Sequence, residues 1–281
     1  MKGIILINAY SRMKEALYQS ERLKEEFLKR GVEADIRRND FFAVTASDTL
    51  ACELSGYDFC VYLDKDKYVL QGIERAGIPL FNGYQAIEVC DDKMTTCLAL
   101  ANRGIPIPLT LPGIFCYDSD AEISEASLDK IERALGYPLV VKRSYGSRGT
   151  GVYLINDRKE LKEKSAELLC EPHLYQKFIA SSFGRDVRVI VIGKKVFGAI
   201  MRKSEGDFRS NVALGGEATE YELPPHAKQL CEKVASLLGL DYCGIDLLFG
   251  EGDDFYVCEV NSNAFFIGFS SSAKNKGAPV A

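Results

Sequence analysis

Hydrophobic positions recur along this chain at two spacings, and the alternation between them lays out its elements. The apolar run at 3–8 (GIILIN) predicts a buried strand. Ala16, Leu17, Leu23, Phe27 and Leu28 at helical spacing predict a helix over 14–30 that stops at Gly31. Strands are expected at 32–38 and 58–63, a helix at 66–76 ending before Gly77, and a short strand in IPLFN. Such β-α-β alternation implies a small, mostly parallel sheet. A helix is expected over 84–103, with Asp91 as its N-cap and Gly104 as its stop. The Pro-rich stretch GIPIPLTLPG (104–113) reads as an extended lead into a new domain.

Beyond it the pattern changes. A helix near 127–135 precedes two β-rich runs within 137–156 that flank a Gly-rich loop, so a hairpin is expected there. A helix (157–169) and a strand (173–179) follow. From 185 onward short strands dominate: RDVRVIVIG, then KKVFGAIMRK, with Gly193 beginning the turn between them. A helix at 224–238, opened by Pro224-Pro225, leads to strands at 241–249 and 254–260. Pro279 stands where one more helix could open. The fold class is α/β, with an α+β second half.

Composition narrows the function. The chain has 281 residues, 47% of them hydrophobic, enough for one large core or two or three small ones. Lys and Arg number 35 against 40 Asp and Glu, and this charge of −5 lacks the basic excess of a nucleic-acid binder. No run reaches membrane-span length, and the N-terminal apolar run is of strand length without a small-residue cleavage site, so no signal peptide is expected. The nine cysteines include no C-x-x-C pair and read as reduced core residues, with Cys90 and Cys97 placed to share a helix face. The expected compartment is the cytoplasm.

The candidate chemistry is spread along the chain. G-x-G-x-x-G is absent after the first strand, where NAYSRM stands, so a dinucleotide-binding unit is not expected. Lys142 ends an apolar strand and is followed by Gly146, Gly149 and Gly151. Glycines let backbone N–H groups approach an anion and lysine adds a point charge, although a plain glycine-rich hairpin fits the same letters. Lys93 opens a helix upstream. Arg202, Arg209 and Asn211 fall within ten positions, and arginine forks bind phosphate or carboxylate. Asp246 lies inside an apolar strand, and Glu259 and Asn261 lie two apart in the next, on one face and across the ladder from it. Three oxygen-bearing side chains so arranged suit Mg²⁺; pairing of the two acids with buried Arg or Lys is the alternative. In combination these residues describe a clamp for a nucleoside triphosphate, cations on one side and Mg²⁺ on the other.

With those motifs in place, the chain resembles the ATP-grasp superfamily, and closely the RimK-like α-L-glutamate ligases. The likeness runs through DDKMTTCLALANRGIPIP, YPLVVKRSYGSRGTGV, YQKFI, GRDVRVIVIG, GDFRSN and GIDLLF…VCEVNSN. It implies an N-terminal α/β domain over 1–88, a central grasp lobe over 89–175 and a C-terminal grasp lobe over 176–281. It implies that Lys93 and Lys142 contact ATP phosphates under a loop containing Gly146, Ser147, Gly149 and Gly151. Gln176, Lys177 and Ile179 would surround adenine, and Asp186 would lie near the ribose. Arg202, Arg209 and Asn211 would be catalytic, and Asp246, Glu259 and Asn261 would hold one or two Mg²⁺ or Mn²⁺ ions. The implied reaction joins a small-molecule or peptide carboxylate to an amine through an acyl phosphate, with ADP and phosphate released. A nucleotide-binding regulator without turnover and a phosphotransferase are the rival readings. Homo-oligomers are common among such ligases. Two departures fall where the second substrate is expected: Leu214 stands where the family commonly has arginine, and SNAFFIGF replaces a small Pro/Gly-containing ending.

Overall fold

The computed structural model describes residues 1–147, 149–210 and 217–265. Asn211, Leu214, the end of SNAFFIGF and Pro279 lie outside the described residues.

The first apolar run forms β1 (Lys2–Ile7), which pairs in parallel with β2 (Glu33–Arg38) and β5 (Phe59–Tyr62) in the order β2-β1-β5. Alternate residues of β1 point to opposite faces. Ile5 and Ile7 meet Leu23 and Phe27 of α1 (Lys14–Lys29). Ile4 and Leu6 meet Leu70 and Ile73 of α2 (Lys67–Arg75) on the other side. A small hairpin of β3 (Val44–Ala46) and β4 (Leu50–Cys52) precedes β5, where no strand is expected from the sequence because both strands are three residues long.

The helix expected over 84–103 is two helices, α3 (Tyr84–Asp91) and α4 (Lys93–Leu100). Asp92, not Asp91, is the capping residue: it is extended, and its carboxylate accepts from the N–H groups of Met94 and Thr95. That cap offers the backbone a better alternative to continuing the first helix. It also means that Cys90 and Cys97, both buried, sit on different helices.

A second sheet has the order β6-β9-β7-β8, formed by β6 (Thr110–Pro112), β7 (Leu139–Arg143), β8 (Val152–Ile155) and β9 (His173–Lys177). Two helices, α5 (Glu125–Leu135) and α6 (Arg158–Glu167), cover one face, where Leu128, Leu135 and Leu161 pack on Leu139, Val141, Ile155 and Tyr175. His173 belongs to this layer; its ring meets the Tyr175 hydroxyl at 3.1 Å, and that hydroxyl donates to Ser165. The face with Lys142 and Gln176 is left for other contacts.

The third sheet holds five strands, β12-β11-β10-β13-β14: β10 (Arg185–Ile192), β11 (Lys195–Lys203), β12 (Glu217–Glu220), β13 (Tyr242–Phe249) and β14 (Phe255–Asn261). Its apolar face, with Val187, Val189, Val191, Ile245, Leu247, Val257 and Val260, packs against α7 (Pro225–Leu237) and against Ala86, Cys90 and Leu100 of α3 and α4. Its polar face turns toward the second sheet, since Cys258 of β14 lies 3.5 Å from the Lys142 ammonium. A buried Asn82 ties the N-terminal region to this sheet. Its amide donates to the carbonyls of Tyr242 and Ser262 and accepts from the N–H groups of Asp241 and Tyr242.

Candidate active site

The end of β14 sets the geometry. Residues 255, 257, 259 and 261 share parity, so a regular strand would send Glu259 and Asn261 into the apolar core beside Phe255 and Val257. A β-bulge prevents it: Asp246 faces Glu259, but the next residue, Leu247, faces Val257. The extra residue is Cys258. Past it the alternation is reversed, so Val260 enters the core while Glu259 and Asn261 move to the polar face. Bulges commonly re-aim side chains beside functional sites in this way.

On that face a row of charges crosses the strands. Asp186 of β10 is paired with Arg202 of β11, Arg188 with Asp246 of β13, and Asp246 with Glu259. Arg202 donates to Asp186 from Nε at 2.7 Å and lies 3.0 Å from Asp246. Arg188 grips Asp246 through Nε and, at 2.8 Å, through its terminal nitrogen. Burial alone would raise both acids; two arginines hold the Asp246 carboxyl below the usual range, while Asp186, beside only Arg202 and close to Asp246, stays above it. The Asp186 carboxylate is further bonded by Ser210.

Opposite stands a different arrangement. Lys142 is buried, and its ammonium donates to Gln176 Oε1 at 2.7 Å and contacts the Cys258 thiol. Gln176 is itself held by a 2.8 Å bond to Thr110. Burial works to lower the Lys142 pKa, but Cys258 and Glu259 outweigh it and leave it raised. Burial raises the thiol, against the pull of Lys142. Lys93 reaches the same place because the break before α4 directs it there. Its N–H donates to Ser144 O at 3.0 Å, its ammonium to Gly146 O at 2.8 Å, and Glu259 lies 3.8 Å away. Burial lowers the Lys93 pKa.

The Gly-rich loop is held from both sides. Gly146, Gly149 and Gly151 all have positive φ, a region where a side chain would be strained. Lys93 grips Gly146 O, and Arg209, paired with Asp207, donates to Gly149 O at 3.1 Å. Ser147 is exposed between them.

Lys142 and Gln176 thus meet the third sheet at Cys258, Lys93 pairs with Glu259, Asp186, Arg202 and Asp246 form an ion network beside Glu259 in the strand register, and Arg209 reaches the Gly-rich loop. Lys177 is exposed, its N–H taken by Leu109 O, and Ile179 is half-buried beyond it. Asn211 falls outside the described residues. Sequence reasoning missed Arg188, Cys258 and Thr110. The alternation in RDVRVIVIG puts Arg188 on the polar face with Asp186, so a signal existed for it. Alternation from Phe255 and Val257 puts Cys258 on the polar face as well, although nothing in the sequence pairs its thiol with Lys142. Among the described residues no group of three or more His, Cys, Asp or Glu converges as a metal site, and no helix is long and apolar enough to cross a membrane.

A family model for the RimK-like ATP-grasp domain matches residues 90–278. Human β-citrylglutamate synthase B is 40% identical over 214 residues, covering 75% of this chain and 54% of that protein. Human N-acetylaspartylglutamate synthase A is 38% identical over 214 residues, covering 75% and 53%. A probable α-L-glutamate ligase of Legionella pneumophila (strain Corby) is 34% identical over 203 residues, covering 69% and 63%. The chain spans about half the length of the human relatives it matches. In fold it is similar to D-alanine–D-alanine ligase from Bacillus anthracis in complex with ATP, with a TM-score of 0.73 at 18% identity over 98% of this chain and 91% of that one. It is likewise similar to the ATP-grasp ligase PsnB with a minimal precursor, with a TM-score of 0.69 at 20% identity over 97% and 94%. The mixed α/β architecture is that of an ATP-grasp protein, and the chain belongs to the RimK-like ATP-grasp family.

Proposed function

We propose that this protein is an ATP-dependent ligase joining a carboxylate to an amine, with L-glutamate as the amine. One observation carries the reading: a buried lysine with only neutral hydrogen-bond partners, Lys142, faces a partly exposed carboxylate, Glu259, across two polar sheet faces. That pairing suits a polyphosphate, which needs a cation on one side and a metal-bearing acid on the other. The relatives named for glutamate-containing products support glutamate as substrate. On this reading residues 89–175 and 176–281 are the two grasping lobes and 1–88 the domain before them.

Lys93 and Lys142 would hold the phosphates, with Gly146, Ser147, Gly149 and Gly151 closing over them. The hinge at Gln176, Lys177 and Ile179 would seat adenine, with Asp186 toward the ribose. The donor set at the acidic end is oxygen only, which fits Mg²⁺ or Mn²⁺. Glu259 and Asn261 would hold one or two ions, with Asp246 orienting from behind. Asn261 Nδ2, buried without a partner, leaves its amide free to turn toward a ligand. When bound, the metal supplies charge neutralisation on the phosphates. Transfer of the terminal phosphoryl group to the substrate carboxylate breaks its bond to ADP and forms an acyl phosphate. The amine then attacks that carbonyl, and phosphate leaves with the C–O electron pair. Arg209, half-buried and bonded to the Gly149 carbonyl of the loop, would meet the phosphate charge. Arg202, engaged by two carboxylates, holds the acidic face in shape, and Asn211, outside the described residues, would act with the arginines. The protein contributes position and charge, not a covalent intermediate.

The test is phosphate release with Mg-ATP, L-glutamate and a panel of carboxylates that includes citrate and N-acetylaspartate. Turnover with at least one acid is expected, and Glu259→Ala and Lys142→Ala are each expected to abolish it. Unchanged turnover in both variants would overturn the site; Mg-ATP binding by calorimetry without turnover on any pair would favour a nucleotide-binding regulator.

A further inference from the structure

Four buried side-chain atoms among the described residues lack a hydrogen-bond partner: Gln19 Oε1, Arg143 Nε, Asn261 Nδ2 and Ser262 Oγ. Arg143 has the Glu171 carboxylate 3.1 Å away. Gln19 lies where α1 meets the chain just past β14: its Nε2 is 3.4 Å from Ala264 O, and Asn261 and Ser262 stand three and two residues before Ala264.

This seam borders the charged face. Gly244 is paired with Asn261, and a Cβ at Gly244 would lie 3.0 Å from both Ala264 Cβ and Arg188 Cδ. Glycine at 244 therefore leaves room for residue 264 over β13 beside the arginine that grips Asp246. Gln19, 4% exposed, comes to that place from the first helix of the N-terminal region.

The chemistry of the orphans is specific. The amide of Gln19 is oriented, because only its NH₂ end can meet the Ala264 carbonyl. Its acceptor end is left without a donor. A buried acceptor in that state is unfavourable and points to a ligand that brings a donor. ATP phosphates bring only acceptors to this face, whereas the attacking amine brings N–H groups that the Gln19 acceptor can take. The two orphan donors, Asn261 Nδ2 and Ser262 Oγ, complement a carboxylate.

We propose that Gln19 Oε1 accepts a hydrogen bond from the amino group of the amino-acid cosubstrate and so aims its lone pair at the acyl phosphate. The assignment rests on the ligase reading. Gln19 takes no proton: the amine attacks as the free base, the N–C bond forms, the C–O bond breaks with its electron pair going to phosphate, and the surplus amine proton leaves to solvent.

The test uses the whole chain and two variants, Gln19→Met, which keeps the volume and removes the acceptor, and Gln19→Glu, which keeps the acceptor. Calorimetry measures L-glutamate binding to protein loaded with Mg²⁺ and a non-hydrolysable ATP analogue. Glutamate affinity should fall by about tenfold or more in Gln19→Met, the size of a lost bond to a charged group, and stay within about threefold in Gln19→Glu. Analogue affinity should hold in both. In a second assay hydroxylamine replaces glutamate and traps any acyl phosphate as a hydroxamate. Gln19→Met should lose far more glutamate-dependent turnover than hydroxamate yield, a split that a merely structural glutamine would not produce. No glutamate binding by the wild type, equal binding by Gln19→Met, or equal loss in both variants would overturn the proposal. Intact glutamate binding with no hydroxamate from any acid would overturn the ligase reading and the aiming role with it, while loss of glutamate affinity in Gln19→Met would still support the contact between Gln19 and the amino group.

Discussion

The two facing sheets bury charge in opposite ways. The five-stranded sheet carries two arginines and two aspartates that satisfy one another: Arg188 and Arg202 against Asp186 and Asp246. The second sheet carries Lys142, whose hydrogen-bond partners, Gln176 and the Cys258 thiol, are neutral. A balanced network resists change, because removing one member strands the others. A single cation with neutral partners keeps its charge on offer to an anion. Burial by itself does not mark a functional charge; the state of its partners does.

Three substitutions would break or sharpen this contrast. Arg202→Met should be the most damaging, since it leaves two buried carboxylates short of a cation; a loss of about 3–5 kcal/mol in urea unfolding is expected. Lys142→Met should do the reverse. It should cost clearly less unfolding stability than Arg202→Met, because its hydrogen-bond partners are neutral and the carboxylate that bears on it, Glu259, is partly exposed, while nucleotide affinity measured by calorimetry falls about a hundredfold. Equal destabilisation by both variants would erase the distinction. The smallest effect concerns Lys93. Burial holds its pKa low, and a nearby polyphosphate would favour the charged form. At an alkaline pH where Lys93 is partly deprotonated, nucleotide binding should therefore draw in a proton. The binding enthalpy should then vary with the ionisation enthalpy of the buffer, and Lys93→Ala should remove most of that dependence.

Much of the fold can be read in the residues. The continuous run of isoleucines and leucine in β1, helical spacing in α1 and Pro224-Pro225 before α7 each mark an element by a local rule. The site residues carry a local signal as well, since polar side chains interrupt apolar strands at Lys142, Asp186, Arg188, Asp246 and Glu259. What could not be read is how those interruptions divide between internal pairing and an open site. Asp246 and Glu259 look equivalent in the chain, yet Asp246 is bound by two arginines, whereas the ion pair of Glu259 among the described residues is a loose one with Lys93 at 3.8 Å. The break between α3 and α4 was also hidden, because adjacent aspartates at 91 and 92 offer the same capping chemistry and packing selects between them.

The sequence by itself determined the elements, the order of the cations, the glycines and the acids, and the likeness to a ligase family, because these depend on spacing along the chain. Tertiary structure alone decided which face Glu259 and Asn261 occupy. Side-chain parity places them with Phe255 and Val257 in the core, and one extra residue in the ladder, Cys258, reverses it. A bulge is a property of two paired strands, not of either one. The same holds for Gln19, whose empty acceptor has meaning only because the fold brings the first helix against residue 264.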